Sequence, residues 1–162
     1  MSGGMRPDLR FLLGHPAHFF ALGFGSGLAP WAPGTFGTLA ALPLFLLLQG
    51  LPSLPMLLAV LAGLFLLGIP LCQVTGKDLG VADHGAIVWD EIVAVCLVWA
   101  LLPVTSLWLL LGFIVFRAFD ILKPWPIRQF DARLKNGFGV MFDDLLAAGY
   151  SLLLLKGLQW LV

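Results

Sequence analysis

The sequence predicts an all-α fold, a multi-pass membrane helix bundle built as a single domain over residues 1–162. Three observations carry that expectation. Hydrophobic residues make up 60% of the chain and charged residues 11%, with a mean hydropathy of +0.99. A soluble domain is about 45–50% apolar and about 25% charged, so too little polar surface remains to cover a core of this length in water. The apolar residues fall into five long segments separated by short Gly- and Pro-containing turns. The few charges gather at one set of segment ends, and net charge is zero.

Residues 1–10 are short and polar, and no cleavage-like site follows a short apolar core, which argues against a signal peptide. Residues 11–24 are apolar and aromatic but interrupted by Gly14, Pro16 and Gly23, which predicts an interfacial or partly buried helix and not a span. Residues 23–38 are a loop by composition, because clustered Gly and Pro do not hold a helix; Thr35 is the expected N-cap of the first apolar segment. That segment, 36–51, is short for a span, which usually needs about 20 residues. Ser53 is the expected N-cap of the second, 54–72. Residues 73–85 read as a polar loop, 87–102 as the third segment and 107–123 as the fourth. Residues 124–138 read as a loop, and the fifth segment starts near Val140 and runs to about Leu161.

If each segment crosses, every charge-bearing connection falls on one face. That face receives all nine acidic residues and eight of the nine Lys and Arg residues, leaving only Lys156 towards the other. Cytoplasmic loops carry an excess of Lys and Arg, so the charged face is the expected cytoplasmic one. Asp90, Glu91, Asp120, Asp143 and Asp144 sit on three different segments near it. Ionisable groups at membrane depth are costly and normally face one another or a wet cavity. Converging carboxylates without His or Cys in numbers suit a hard, oxygen-preferring cation such as Mg²⁺. Ala147, Ala148 and Ser151 follow Asp144 at helical spacing, marking its side as the packed one. Asp143 lies about 100° round the helix, in a supporting position.

Arg117, Lys123 and Arg128 stand beside these acids, with Lys77 on the neighbouring polar stretch. Arg117, Asp120 and Lys123 fall at i, i+3 and i+6, along one side of a helix. Cationic side chains next to a metal describe a phosphate site. The Gly-rich loop, with Thr35, is placed to add backbone N–H donors or to cover it. The plainer readings are an i, i+3 ion pair for Arg117 and Asp120, and dipole-favoured first-turn acids for Asp143 and Asp144. His84, beside Asp83, reads as a turn residue, a supporting partner or a proton donor to a leaving group. His15 and His18 read as interfacial, and the six Trp residues mostly as an interface belt. Cys72 and Cys96 lie in apolar runs without metal-ligand spacing and read as core residues. Nothing in the charge pattern points to nucleic acid or to an obligate protein partner.

Four stretches then become specific: GFGSGLAPWAPGTFGTLAALP (23–43), KDLGVADHGAIVWDEIVA (77–94), FRAFDILKPWPIRQFD (116–131) and GFGVMFDDLLAAGY (137–150). In this order they resemble the phosphatidylglycerophosphatase A family across nearly the whole chain. The resemblance implies a Mg²⁺-dependent lipid phosphatase of the bacterial inner membrane, hydrolysing phosphatidylglycerophosphate to phosphatidylglycerol and phosphate at the cytoplasmic face. The signatures of cysteine phosphatases, haloacid dehalogenase-like phosphatases and CDP-alcohol transferases are absent.

On this reading Glu91, Asp120 and Asp144, aided by Asp90 and Asp143, hold one or two Mg²⁺ ions. Arg117, Lys123 and Arg128, with Lys77 and Thr35, bind the phosphate. Direct attack by water and a phospho-aspartyl intermediate both remain open. The competing class is a small ion transporter or channel lined by the carboxylates; against it, the acids cluster at one end of the segments.

Overall fold

The computed structural model describes residues 4–161, and among them every regular element is a helix. Two short helices, α1 (Leu9–Gly14) and α2 (Pro16–Ala21), and a 3-10 turn (Gly23–Leu28) precede the bundle. The bundle consists of α3 (Pro33–Leu48), α4 (Leu54–Leu79), α5 (Trp89–Ala100), α6 (Ser106–Leu122), α7 (Ile127–Arg133) and α8 (Gly137–Leu161).

Local chemistry sets the ends. The Ser53 hydroxyl accepts from Met56 N at 3.4 Å and caps α4 as expected. That helix runs seven residues beyond the expected end at Cys72, because polarity alone does not break a helix; the first true stop is Gly80. There φ is +77°, and Gly80 N donates to Lys77 O at 3.1 Å, the left-handed glycine cap that ends many helices. The chain expected to be a loop over 124–138 contains α7, with Ile127 buried and Phe130 edge-on to Phe142 of α8 at 5.4 Å. Thr35 is not the cap of α3. Pro33 opens that helix, with Ala32 as N-cap, and Thr35 lies in the first turn with its N–H on Ala32 O at 2.9 Å.

α5 and α8 form the centre. α8 packs on α4, α5, α6 and α7, while α5 packs on α3, α4, α6 and α8. Ile92 to Cys96 of α5 are all buried, as a helix that is apolar all round requires. α8 buries Gly139, Asp143, Asp144, Ala147, Ala148 and Ser151, so its small residues face inward and let neighbouring backbones approach. Trp89 and Trp99 belong to this core and not to an interface belt. Their indole N–H groups donate to Leu64 O at 3.2 Å and Leu109 O at 2.9 Å. Trp31, Trp125 and Trp160 are exposed. Cys72 and Cys96 are buried and free. His18 is buried rather than interfacial: Nε2 meets Asp78 Oδ2 at 2.9 Å and Nδ1 meets Phe11 O at 3.0 Å, tying the N-terminal helices to α4.

Two helices, α4 and α8, are long and apolar enough to cross a membrane, and α3 is a shorter apolar helix. Only 17% of the most apolar stretch of α4 is buried, the reverse of a soluble core helix. Leu47, Leu107, Leu110, Leu153 and Trp160 likewise point away from the bundle. α5, with 12 residues, is about 18 Å long, well short of a hydrocarbon core of about 30 Å.

Candidate active site

The chain reverses direction between α4 and α5, between α5 and α6, and between α6 and α8, and this brings the charged ends of four helices together. Asp90 and Glu91 come from the first turn of α5, Arg117 and Asp120 from the last turns of α6, and Asp143 and Asp144 from the second turn of α8. Arg117 Nη1 donates to Glu91 Oε1 at 2.8 Å and also to Asp120 Oδ2. These side chains are nearly enclosed, at 13% exposure for Arg117 and 12% for each acid. Lys123 Nζ donates to Asp143 Oδ2 and lies 3.5 Å from Asp131 Oδ1. Lys123 ends α6 in the left-handed region, at φ +41°, a costly conformation for a residue with a Cβ. Partial burial disfavours its ammonium, but Asp143 and Asp131 outweigh that and hold it charged well above the ordinary lysine range.

The N-terminus of α3 closes the other side. A Cβ on Gly34 would overlap Glu91 Oε1 and crowd Arg117, so only glycine lets this backbone approach the pair. Thr35 follows it and is half-buried.

The arrangement offers cation sites. Ligand atoms of Glu91, Asp120 and Asp144 lie within 4.8 Å of one another, and so do those of Asp90, Asp143 and Asp144. Asp144 belongs to both sets. Asp90 Oδ1, Glu91 Oε2 and Asp144 Oδ2 are buried without a hydrogen-bond partner. Five carboxylates face only two cationic side chains, so the donor set fits one or two hard divalent ions. A third set of acids, Asp83, Asp131 and Asp143, surrounds the outer side of Lys123.

Asp120, Asp143, Asp144, Asp90, Glu91, Arg117 and Lys123 thus converge. Other expected members stand apart. Arg128 is exposed on α7 and makes no hydrogen bond or ion pair among the described residues. Lys77 is exposed in the last turn of α4, beside a cleft lined by Gln73 and Gly137. His84 Nδ1 accepts from Ala86 N at 3.1 Å within its own turn; burial pulls its pKa down against the opposing charge of Asp83. Asp131 joins the converging residues from a stretch whose composition reads as loop. It faces Lys123 and Lys135, which outweigh its desolvation and hold its carboxyl below the usual range. The available signal was its place at the end of the FRAFDILKPWPIRQFD stretch.

The sequence pattern of the phosphatidylglycerophosphatase A family matches residues 19–159. The chain belongs to the phosphatidylglycerophosphatase A family. It is 50% identical to phosphatidylglycerophosphatase A of Haemophilus influenzae over 95% of both chains. It is 45% identical to phosphatidylglycerophosphatase A of Escherichia coli over 85% of this chain and 80% of that one. A Bacteroides thetaiotaomicron protein, provisionally described as a phosphatidylinositol-3-phosphatase, is 36% identical over 86% of this chain and 91% of its own. No solved structure matches. Membership makes the chain a phosphoric monoester hydrolase, and all seven converging residues lie inside the matched range of the family.

Proposed function

We propose that the chain is a Mg²⁺-dependent lipid phosphatase that hydrolyses phosphatidylglycerophosphate to phosphatidylglycerol and inorganic phosphate in phospholipid biosynthesis. It works as a multi-pass protein of the bacterial inner membrane, with its site at the cytoplasmic face. The names of the two relatives at 50% and 45% identity support the substrate. The observation that carries the chemistry is the enclosed set of acids sharing Asp144, with three unpartnered oxygens, next to Arg117 and Lys123.

Glu91, Asp120 and Asp144 would hold one ion, and Asp90, Asp143 and Asp144 a second. Bound there, Mg²⁺ would neutralise charge on the transferring phosphoryl group and favour attack by water. Arg117 and Lys123 are positioned by the acids on either side of them, so their fixed charges await the phosphate without reorganising. Water supplies the oxygen of the new P–O bond, the P–O bond to glycerol breaks, and the glycerol oxygen leaves with a proton. Gly34 and Thr35 bring the start of α3 against this point.

The experiment is phosphate release from phosphatidylglycerophosphate in detergent, with Mg²⁺ or with EDTA. Release is expected with Mg²⁺ and none with EDTA. Asp120→Asn should lose activity by on the order of a thousand-fold while inserting and melting as the parent does. Near-normal turnover by that variant, or turnover in EDTA, would refute the assignment. The transporter reading fits less well: the acids occupy one end of the bundle, and α4 and α8 carry none towards the other.

A further inference from the structure

A cavity of about 350 Å³ opens on the side of the bundle between α4, α5 and α8. Leu58, Ala62 and Leu66 line it from α4, Asp90, Ala94 and Leu97 from α5, and Met141 from α8. The α4 residues follow one another at i, i+4 and i+8, and those of α5 at i, i+4 and i+7. Each set is therefore a stripe along its helix, and the cavity is a cleft about 10–12 Å long, parallel to the helices. Because α4 and α5 run antiparallel, Leu66 and Asp90 mark its polar end and Leu58 and Leu97 its far end.

Asp90 is the one polar side chain in the lining. It is 7% exposed, its Oδ1 has no partner, and it belongs to the acid set with Asp143 and Asp144. The cleft is thus continuous with the acid cluster and is otherwise hydrocarbon. An extended alkyl chain carries no backbone N–H or C=O to satisfy, so it suits a lining that is hydrocarbon apart from Asp90. A phosphatase for a phospholipid must hold a headgroup at the acids while the attached chains stay in an apolar phase.

We propose that this cleft binds one acyl chain of the phosphomonoester phospholipid, running from Asp90 towards Leu58. The proposal rests on the lipid phosphatase reading above and extends it to how the substrate is held. Ala62 keeps the middle of the cleft open, and it is an exposed position outside the catalytic cluster. A Trp there narrows the chain path and replaces none of the acids.

The test compares the full-length parent with Ala62→Trp on dihexadecanoyl and dibutanoyl phosphatidylglycerophosphate, in Mg²⁺ and detergent. The variant should lose about ten-fold or more in kcat/KM on the long-chain lipid and keep the parent value on the short-chain one. An equal loss on both substrates, or no loss on either, overturns the cleft and leaves the phosphatase standing. If the parent releases phosphate from neither, the phosphatase reading fails, and the cleft is judged by photolabelling with phosphatidylglycerol carrying a diazirine near the end of one acyl chain. Labels concentrated on the α4 and α5 stripes and suppressed by Ala62→Trp support the cleft. Labels spread evenly over the outward-facing helix surfaces indicate bulk lipid only and overturn it.

Discussion

Arg117 holds two carboxylates with one nitrogen, and the backbone of Gly34 leaves room for that geometry. Gly34→Ala puts a methyl group on Glu91 Oε1, so the carboxylate must move. A shift of about 1 Å at a reacting centre can cost about a hundred-fold. Gly34→Ala is expected to lower kcat by between about ten- and a hundred-fold with little change in melting temperature. Gly149→Ala serves as the control, because nothing lies within 4 Å of a Cβ there and alanine is the better helix former. Steady-state phosphate release on the two variants checks this.

At the scale of elements, α8 does two jobs, carrying Asp143 and Asp144 and packing against four other helices. Both depend on its small inward residues. Ala148 is wholly buried, and Ala148→Leu forces extra methylenes into a close helix contact. Overpacking of this kind costs about 1–3 kcal/mol, which should appear as a lower melting temperature in detergent. Activity below the melt should fall as well, because α8 cannot shift without moving Asp144. The short α7 matters for a different reason: it brings Asp131 to Lys123 from a stretch whose composition suggests only a loop.

For the whole molecule, the outward leucines and the little-buried α4 are an inside-out surface suited to lipid. The polar end and the α3–α4 turn lie at opposite ends of the bundle, so a topology measurement separates them. Ser53→Cys and Arg133→Cys are placed for labelling with a membrane-impermeant maleimide. Residue 53 should react in intact cells with a permeabilised outer membrane, and residue 133 only in inverted vesicles. The native Cys72 and Cys96 are both 0% exposed and should stay silent. Labelling of residue 133 from outside would place the site on the other face.

The sequence by itself determined the helical class, the crowding of charge at one end and the acids that converge there. Helix periodicity and the cost of burying charge in apolar surroundings act through composition and spacing, so Asp90, Glu91, Asp120, Asp143 and Asp144 were legible. It also marked Arg117 and Lys123, and the small face of α8. The tertiary structure decided what depends on distance between elements. It separated Lys123, which meets Asp143 and Asp131, from Arg128 and Lys77, which stand apart from the acids. It showed Asp144 shared between two sets of ligands, and the backbone of Gly34 pressed against Glu91. No one-dimensional pattern encodes those relations, because each is set by how two or three helices pack.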